Sequence, residues 1–223
     1  MKINTVIFDL DGTLLDTLQD LCDSVNYIMT NIGHRNREVK EVRSFLGNGA
    51  STLLKKCLSS DLQEEEFVKV LDEYKVYYQI NMHNKTVPYP GILELLQELK
   101  DRGYKLAIVS NKQDEAVKVL TEKYFKGLIH TAAGESVAIK RKPAPDTIYK
   151  AIEELGSKKE DAIYVGDSEV DSEAARNAGI PCVLVTWGFR DREDLEKEKP
   201  DYIIDSASEL LNILNISDDL TNK

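Results

Sequence analysis

The sequence is poor in cysteine and has no long apolar run, and both shortages exclude kinds of protein. Its 223 residues include three cysteines, Cys22, Cys57 and Cys182, with no CxxC pair among them. An odd count without such pairs argues against a disulfide framework. The apolar N-terminal stretch is interrupted by Asp9 and is too short for a signal peptide, and no stretch is long enough to cross a bilayer. We therefore expect a cytoplasmic protein with no membrane partner.

Positive charge is also scarce. Lysine and arginine number 29 against 39 aspartates and glutamates, which gives a formal net charge of −10. That balance argues against a protein that coats nucleic acid, although a locally positive pocket could still bind a small anion. Apolar residues make up 42% of the chain, so it can bury a sizeable core as one large domain or as a core with an inserted module.

Short apolar runs alternate with helical patterns along most of the chain. The runs are apolar throughout, as expected for strands covered on both faces, and the alternation predicts a doubly wound, Rossmann-like α/β core with a parallel sheet. The predicted strands are 5–8, 105–109, 128–131, 162–165, 182–185 and 202–204. Clear helical patterns cover 92–99, 146–155 and 169–178.

One region, residues 16–82, has helical patterns and no convincing strand. Its predicted helices are 17–31, 37–45, 50–58 and 64–80. The proline-rich stretch 87–91 then returns the chain to the alternating pattern. We therefore expect a core domain formed by 1–15 and 83–223 and an inserted helical cap domain formed by 16–82.

Polar and charged residues follow the predicted strands. Ligands of open parallel sheets bind beyond the carboxyl ends of the strands, so these residues are candidates for one site. The candidates are Asp9, Asp11, Gly12, Ser110, Asn111, Lys142, Asp167, Ser168 and Asp171. Each segment has an ordinary alternative, such as a turn, a helix cap or a solvated basic loop. Their shared position at successive strand ends favours the functional interpretation.

Four aspartates gathered at one place would need a cation or shared protons. Two carboxylates about 4 Å apart repel by roughly 4 kcal/mol at an effective dielectric constant of about 20. Oxygen ligands favour Mg²⁺, and the three histidines of the chain match no strand end, which disfavours zinc. Lys142 would add positive charge for an anionic substrate. The combination suits phosphoryl transfer with an aspartate as covalent nucleophile.

Four segments together resemble the motifs of the haloacid dehalogenase superfamily. Residues 8–17 (FDLDGTLLDT) are similar to the first motif, 109–112 (VSNK) to the second, 142–145 (KPAP) to the third and 165–171 (VGDSEVD) to the fourth. The helical insert lies where this superfamily carries its small cap.

The resemblance implies a role for each candidate. Asp9 would be the nucleophile that becomes an aspartyl phosphate, Asp11 the general acid and then base, and Lys142 the residue that neutralises the phosphoryl charge. The implied phosphate-binding residues are Gly12, Ser110, Asn111 and Lys142. Mg²⁺ would be bound by Asp9, by Asp167 and by the main-chain carbonyl of Asp11. Ser168 and Asp171 would lie in its outer sphere, or Asp171 would orient Lys142.

Two features of the resemblance concern the substrate. Dehalogenases lack the second acidic residue of the first motif, so Asp11 favours phosphate chemistry. Residues 45–50 (FLGNGA) resemble the substrate loop of phosphoglycolate phosphatases, and 200–205 (PDYIID) their last strand. The loop implies that Gly47, Asn48 and Gly49, with Arg43 nearby, contact a substrate carboxylate, although a plain helix connection is an equal alternative.

The expected function is therefore a Mg²⁺-dependent phosphatase that acts on a small phosphorylated metabolite, foremost 2-phosphoglycolate. Alternatives with the same machinery are a pyrophosphatase, a sugar-phosphate phosphatase and a β-phosphoglucomutase-type enzyme. A receiver-like signalling module shares the acidic pocket, but its chain is half as long and its phosphorylated aspartate follows the third strand. A catalytically dead binding protein on this fold is disfavoured because every motif residue is present. The protein is expected to be a monomer or homodimer.

Overall fold

Residues 3–58, 62–137 and 139–221 are described by the computed structural model of this chain. The chain separates into two units, one formed by residues 1–15 and 88–223 and the other by residues 16–87. The second boundary therefore lies at 87/88 and not at 82/83 as expected. Its physical reason is the buried carboxylate of Asp20, which accepts hydrogen bonds from the main-chain amides of Lys85 and Thr86 and so keeps this segment with the helices.

The first unit is built on a six-stranded sheet in which every strand pair is parallel. In chain order the strands are β1 (Thr5–Phe8), β2 (Leu15–Asp16), β3 (Val87–Pro88), β4 (Lys105–Gln113), β5 (Thr131–Glu135), β6 (Ala162–Gly166), β7 (Cys182–Val185) and β8 (Tyr202–Ile204). The sheet order is β5-β4-β1-β6-β7-β8, and β2 pairs separately with β3. Strand order reverses between β1 and β6, which is where doubly wound folds bind their ligands.

Helices of the first unit pack against its sheet, as parallel strands require. The helices of the second unit come first in the chain: α1 (Leu18–Asn31), α2 (Val39–Phe45), α3 (Gly49–Leu58) and α4 (Glu64–Asn81). Those of the first unit are α5 (Ile92–Asp101), α6 (Asp114–Phe125), α7 (Asp146–Glu154), α8 (Glu169–Ala178), α9 (Arg192–Lys197) and α10 (Glu209–Thr221). Over the described ranges, no helix is both long and apolar enough to cross a membrane.

The core explains why these segments fold as they do. Ile7 of β1 and Tyr164 of β6 are fully buried against apolar side chains of α7 and α8, among them Ile148 and Ala175. Helix α8 begins with a capping box and ends at Gly179, whose φ of 66° is the left-handed conformation that closes a helix. The predicted α/β class with a parallel sheet is confirmed.

One predicted strand is wrong. Residues 128–131 were expected to form it, but β5 covers Thr131–Glu135. The amides of Leu128 and Ile129 instead bond to the carbonyl of Phe125 and form the turn after α6. Strand β5 is rich in small residues, and its Gly134 lies so close to the main chain of β4 that a Cβ atom would overlap it. An apolar run therefore marks the turn here and not the strand.

The second unit is a helical module, as expected from the pattern. Helices α1 and α4 pack together, and the rings of Tyr27 and Tyr77 stack between them with centroids 3.8 Å apart. Helices α2 and α4 each begin with a capping box. All three cysteines of the chain are buried free thiols, in agreement with the argument against disulfides.

Candidate active site

Asp9 lies at the point where strand order reverses. Its main-chain amide donates a hydrogen bond of 2.9 Å to the carbonyl of Val165 at the end of β6. The chain then turns at Gly12, whose φ is 85° and where a Cβ atom would overlap the carboxylate of Asp167. Glycine at this position therefore lets the β1 turn approach the end of β6, which brings Asp9 and Asp167 to one site.

Lys142 is the cation at the centre of this site. Its side chain is 2% exposed, and its Nζ lies 2.9 Å from Asp9 Oδ1 and 2.7 Å from Asp171 Oδ1. It also donates a hydrogen bond of 2.8 Å to the hydroxyl of Tyr164. Burial lowers the pKa of Lys142, but the carboxylates of Asp171 and Asp9 outweigh burial and raise it overall. Lys142 therefore stays positively charged at neutral pH.

Asp171 is held by the start of α8. Its Oδ2 accepts hydrogen bonds from the Ser168 hydroxyl at 2.6 Å, the Ser168 amide at 3.1 Å and the Asp167 amide at 3.2 Å. Burial raises the pKa of Asp171, yet Lys142 together with the hydrogen bonds from Ser168 and Tyr164 lowers it overall. Asp171 is thus an ionised carboxylate whose partners are already within the protein, which suits it to orient Lys142.

Asp9 and Asp167 are the two carboxylates whose negative charge is not fully compensated by neighbouring groups of the protein. Burial is the main reason that the pKa of Asp9 is raised to about 7, and nearby Lys142 opposes that rise. Burial also raises the pKa of Asp167 well above its usual range, although Oδ2 of Asp167 accepts a hydrogen bond of 2.7 Å from the Phe189 amide. A bound cation would favour the ionised form of both.

The same residues fit a divalent cation. One carboxylate oxygen from each of Asp9, Asp167 and Asp171 lies within 4.8 Å of the others, and all three residues are buried. The donors are oxygens only, as Mg²⁺ prefers. With Asp171 engaged by Lys142, Ser168 and two main-chain amides, Asp9 and Asp167 are the carboxylates suited to contact the ion directly.

The second motif lies at the end of β4. Ser110 is buried, and its hydroxyl accepts a hydrogen bond of 3.2 Å from the Lys112 amide. Asn111 is also buried, and its Nδ2 donates a hydrogen bond of 3.0 Å to the main-chain carbonyl of Lys142. Asn111 therefore links β4 to the loop that carries Lys142.

Asp11 stands slightly apart from the other aspartates. Its side chain is 18% exposed, and its Oδ1 forms an ion pair of 2.9 Å with Nζ of Lys112. Partial exposure suits a group that exchanges protons with a substrate and with water.

Three features of the site were missed from the sequence. Tyr164 is hidden in the apolar run of β6, and Lys112 is the last residue of the second motif, to which no role was given. Residues 186–190, here called the β7 loop, follow β7. In this loop, the indole Nε1 of Trp187 donates a hydrogen bond of 3.0 Å to the Thr13 carbonyl. The rule that ligands bind beyond strand ends, applied to β7 as well, would have found the loop.

The cap residues singled out from the sequence lie in the second unit. Arg43 is in the last turn of α2, and Asn48 precedes α3. Gly47 and Gly49 have φ values of 110° and 75°, a range in which side chains other than glycine are strained. Both glycines are thus required by the backbone of this connection.

The chain is similar to known proteins along most of its length. A family model described as haloacid dehalogenase-like hydrolase matches residues 6–185. The phosphoglycolate phosphatase of Aquifex aeolicus (strain VF5) is 33% identical over 214 residues, which are 96% of this chain and 97% of that protein. The Vibrio parahaemolyticus protein of the same name is 32% identical over 223 residues, with coverage of 96% and 97%. A crystal structure from Lactobacillus delbrueckii subsp. bulgaricus, provisionally assigned as a phosphoglycolate phosphatase, has a TM-score of 0.91 and 36% identity, covering 96% of this chain and 99% of that one.

Proposed function

This chain belongs to the haloacid dehalogenase-like hydrolases, and we propose that it is a Mg²⁺-dependent phosphatase that hydrolyses 2-phosphoglycolate. The observation that carries the proposal is the buried Lys142 with Asp9 and Asp171 as its partners and Asp167 beside them. The specific substrate is supported by relatives named phosphoglycolate phosphatase, which match almost the full length of the chain.

The first half of the reaction transfers the phosphoryl group to Asp9. A carboxylate oxygen of Asp9 forms a bond to phosphorus while the bond between phosphorus and the ester oxygen breaks. Asp11 donates a proton to that ester oxygen, so glycolate leaves as an alcohol. Lys142, 2.9 Å from Asp9 Oδ1, lies where negative charge on the transferring group needs compensation.

The second half releases phosphate. The Asp11 carboxylate takes a proton from a water molecule, and the water oxygen attacks phosphorus as the bond to Asp9 breaks. Ser110 and Asn111 lie at the end of β4, next to β1 in the sheet, and would hold phosphoryl oxygens together with Lys142 and the main chain at Gly12. The products are inorganic phosphate and the original Asp9 carboxylate.

The metal would be held by the carboxylates of Asp9 and Asp167 and the main-chain carbonyl of Asp11. When bound, Mg²⁺ supplies positive charge to the phosphoryl oxygens. Ser168 and Asp171 would lie in its outer sphere, and Asp171 also orients Lys142 through the 2.7 Å contact.

A phosphate-release screen tests the proposal. We expect 2-phosphoglycolate to be preferred over pyrophosphate, sugar phosphates and nucleotides, and release to require Mg²⁺. Asp9→Asn, which is nearly isosteric, should lower kcat by about a thousandfold or more on every substrate because the amide is no nucleophile. Asp101→Asn on α5, an exposed carboxylate, is the matched control and should behave as wild type. Wild-type activity in Asp9→Asn would refute the mechanism.

A further inference from the structure

The ion pair between Lys112 and Asp11 brings a second cation to the site. The Lys112 side chain is 6% exposed, and its Nζ lies 2.9 Å from Asp11 Oδ1. A buried ammonium needs an anionic partner, and Asp11 is such a partner. Lys142 already compensates Asp9 and Asp171, so the two lysines serve different carboxylates.

The position of Lys112 is set by the main chain around it. It lies near the end of β4, and its amide donates to the Ser110 hydroxyl at 3.2 Å. On the neighbouring strand, the Gly134 amide donates a hydrogen bond of 2.9 Å to Asp114 Oδ1. A Cβ atom at Gly134 would lie 2.5 Å from the Lys112 carbonyl oxygen, so glycine is needed there. These contacts fix the backbone from which the Lys112 side chain extends.

The ion pair with Asp11 indicates on which side of the substrate's phosphorus atom the Lys112 ammonium would lie. In the proposed reaction Asp11 exchanges a proton with the leaving oxygen, so the two must come within about 3 Å of each other. Lys112, bonded to Asp11, is then on the leaving-group side, whereas Lys142 is on the nucleophile side. In 2-phosphoglycolate a single CH₂ group separates the leaving oxygen from the carboxylate, which therefore falls within reach of Lys112.

We propose that Lys112 is the specificity residue that binds the carboxylate of the leaving group. This inference rests on the proposed function and names the substrate class as phosphate esters with a carboxylate on the carbon next to the ester oxygen. In the complex the substrate carboxylate takes the place of Asp11 as the partner of Lys112. The Asp11 side chain then turns to the leaving oxygen.

Lys112→Met tests the assignment by comparing two phosphate esters, one with the carboxylate and one without it. Ethyl phosphate matches 2-phosphoglycolate in its alkyl leaving group but has a methyl group where the carboxylate stands. Loss of one charge-assisted contact should lower kcat/KM for 2-phosphoglycolate by about 10- to 100-fold, mainly through KM. Loss of the ion pair to Asp11 affects both substrates alike, so for ethyl phosphate the fall in kcat/KM should be at least about fivefold smaller than for 2-phosphoglycolate.

Three further measurements sharpen the comparison. Lys112→Arg retains the positive charge and should recover most of the preference for 2-phosphoglycolate. Lys105→Met removes a lysine at the other end of β4 and should leave both substrates unchanged. Calorimetry in the Asp9→Asn background should show that Lys112→Met weakens binding of 2-phosphoglycolate and not of ethyl phosphate, independently of turnover.

The outcomes separate this inference from the proposed function. If Lys112→Met lost activity equally on both substrates, or on neither, the carboxylate assignment would be overturned while the phosphatase proposal stood. If the wild-type enzyme hydrolysed ethyl phosphate as efficiently as 2-phosphoglycolate, the proposed substrate and the role of Lys112 would both be overturned.

Discussion

Nζ of Lys142 lies within 2.9 Å of three side-chain oxygens inside the protein, and two of them belong to carboxylates. A buried ion pair contributes modestly when complete, but removal of one partner leaves an uncompensated charge at large cost. Here Asp171 is ionised because of Lys142, whereas burial raises the pKa of Asp9 to about 7. The protonation state of these two aspartates therefore depends on a single ammonium group.

Lys142→Met is expected to lower the free energy of unfolding by about 3–5 kcal/mol at pH 8, measured by urea denaturation with a chelator present. The loss should be smaller at pH 6. Without the ammonium, Asp9, whose pKa in the folded protein is already raised to about 7, binds a proton more readily when folded than when unfolded. A fall in pH through this range therefore favours the folded variant.

Lys197→Met provides the comparison for this prediction. Lys197 also pairs with an aspartate, Asp194, at 2.6 Å, but on the surface of α9. Its removal should change stability little and equally at both pH values, because solvent screens the pair. A loss in Lys142→Met that is as large at pH 6 as at pH 8 would attribute the effect to packing and not to charge.

At the scale of strands and loops, the residues that could be predicted are those that follow a clear apolar strand. Asp9 and Asp167 directly follow β1 and β6, and Ser110 lies in the last part of β4. Parallel strands bring these ends together whatever the details of packing. β5 could not be placed because its small residues carry no apolar signal. Tyr164 could not be recognised because a buried tyrosine in a strand looks like any other core residue.

The β7 loop shows what a strand-end residue can do through its main chain. Its Phe189 amide donates to Asp167 Oδ2, and Trp187 joins it to the turn after β1. At Gly188 a Cβ atom would overlap Asp167. Arg190 makes a two-point ion pair with Glu169 at the start of α8, with distances of 2.7 and 2.8 Å. The Phe189 amide thus orients Asp167, a proposed metal ligand, and the bonds of Trp187 and Arg190 hold the loop in place.

Trp187→Phe should weaken Mg²⁺ binding without changing any charge. The phenyl ring lacks the indole N–H that bonds to the Thr13 carbonyl, so the β7 loop and Asp167 are held less firmly. One such bond contributes about 0.5–1.5 kcal/mol, and the Mg²⁺ concentration for half-maximal activity should rise about three- to tenfold. At saturating Mg²⁺, kcat should recover.

Tyr149→Phe is the matched control for this loop, since it also removes a single ring donor, on the exposed side of α7. Its Mg²⁺ dependence should equal that of wild type. An unchanged Mg²⁺ dependence in Trp187→Phe would mean that the Phe189 amide and the Arg190 pair suffice to place Asp167.

At the scale of the whole molecule, the two units differ in how much the sequence reveals. In the first unit, chemistry follows from strand ends, and the haloacid dehalogenase-like assignment is confirmed. In the second unit, helical patterns predicted the elements, but a boundary was missed because it depends on one buried carboxylate. Asp20 bonds to the amides of Lys85 and Thr86 and to the Thr86 hydroxyl, contacts that leave no periodic pattern.

At this scale the net charge of the chain says little about the charges in the site. The chain carries −10 overall, yet the carboxylates that matter are the few buried ones around Lys142. Because burial raises the pKa of Asp9 and Asp167, a cation that binds them in the folded state stabilises the whole unit by mass action. Stability should therefore report metal binding even without a substrate.

Mg²⁺ should raise the melting temperature of the wild-type protein by about 5–10 °C at roughly a hundred times its dissociation constant, measured by scanning calorimetry. Asp167→Asn should abolish that rise, because it removes one of the charges that favour the ion, while its amide oxygen can still accept a hydrogen bond from the Phe189 amide.

With a chelator present, the Asp167→Asn variant should be at least as stable as wild type, and its advantage in stability should grow from pH 6 to pH 8. The reason is that burial raises the pKa of Asp167 in the folded state, so wild type loses stability as the pH rises, whereas an amide does not titrate. Asp101→Asn should respond to Mg²⁺ as wild type does, and an equal response in Asp167→Asn would remove Asp167 from the metal site.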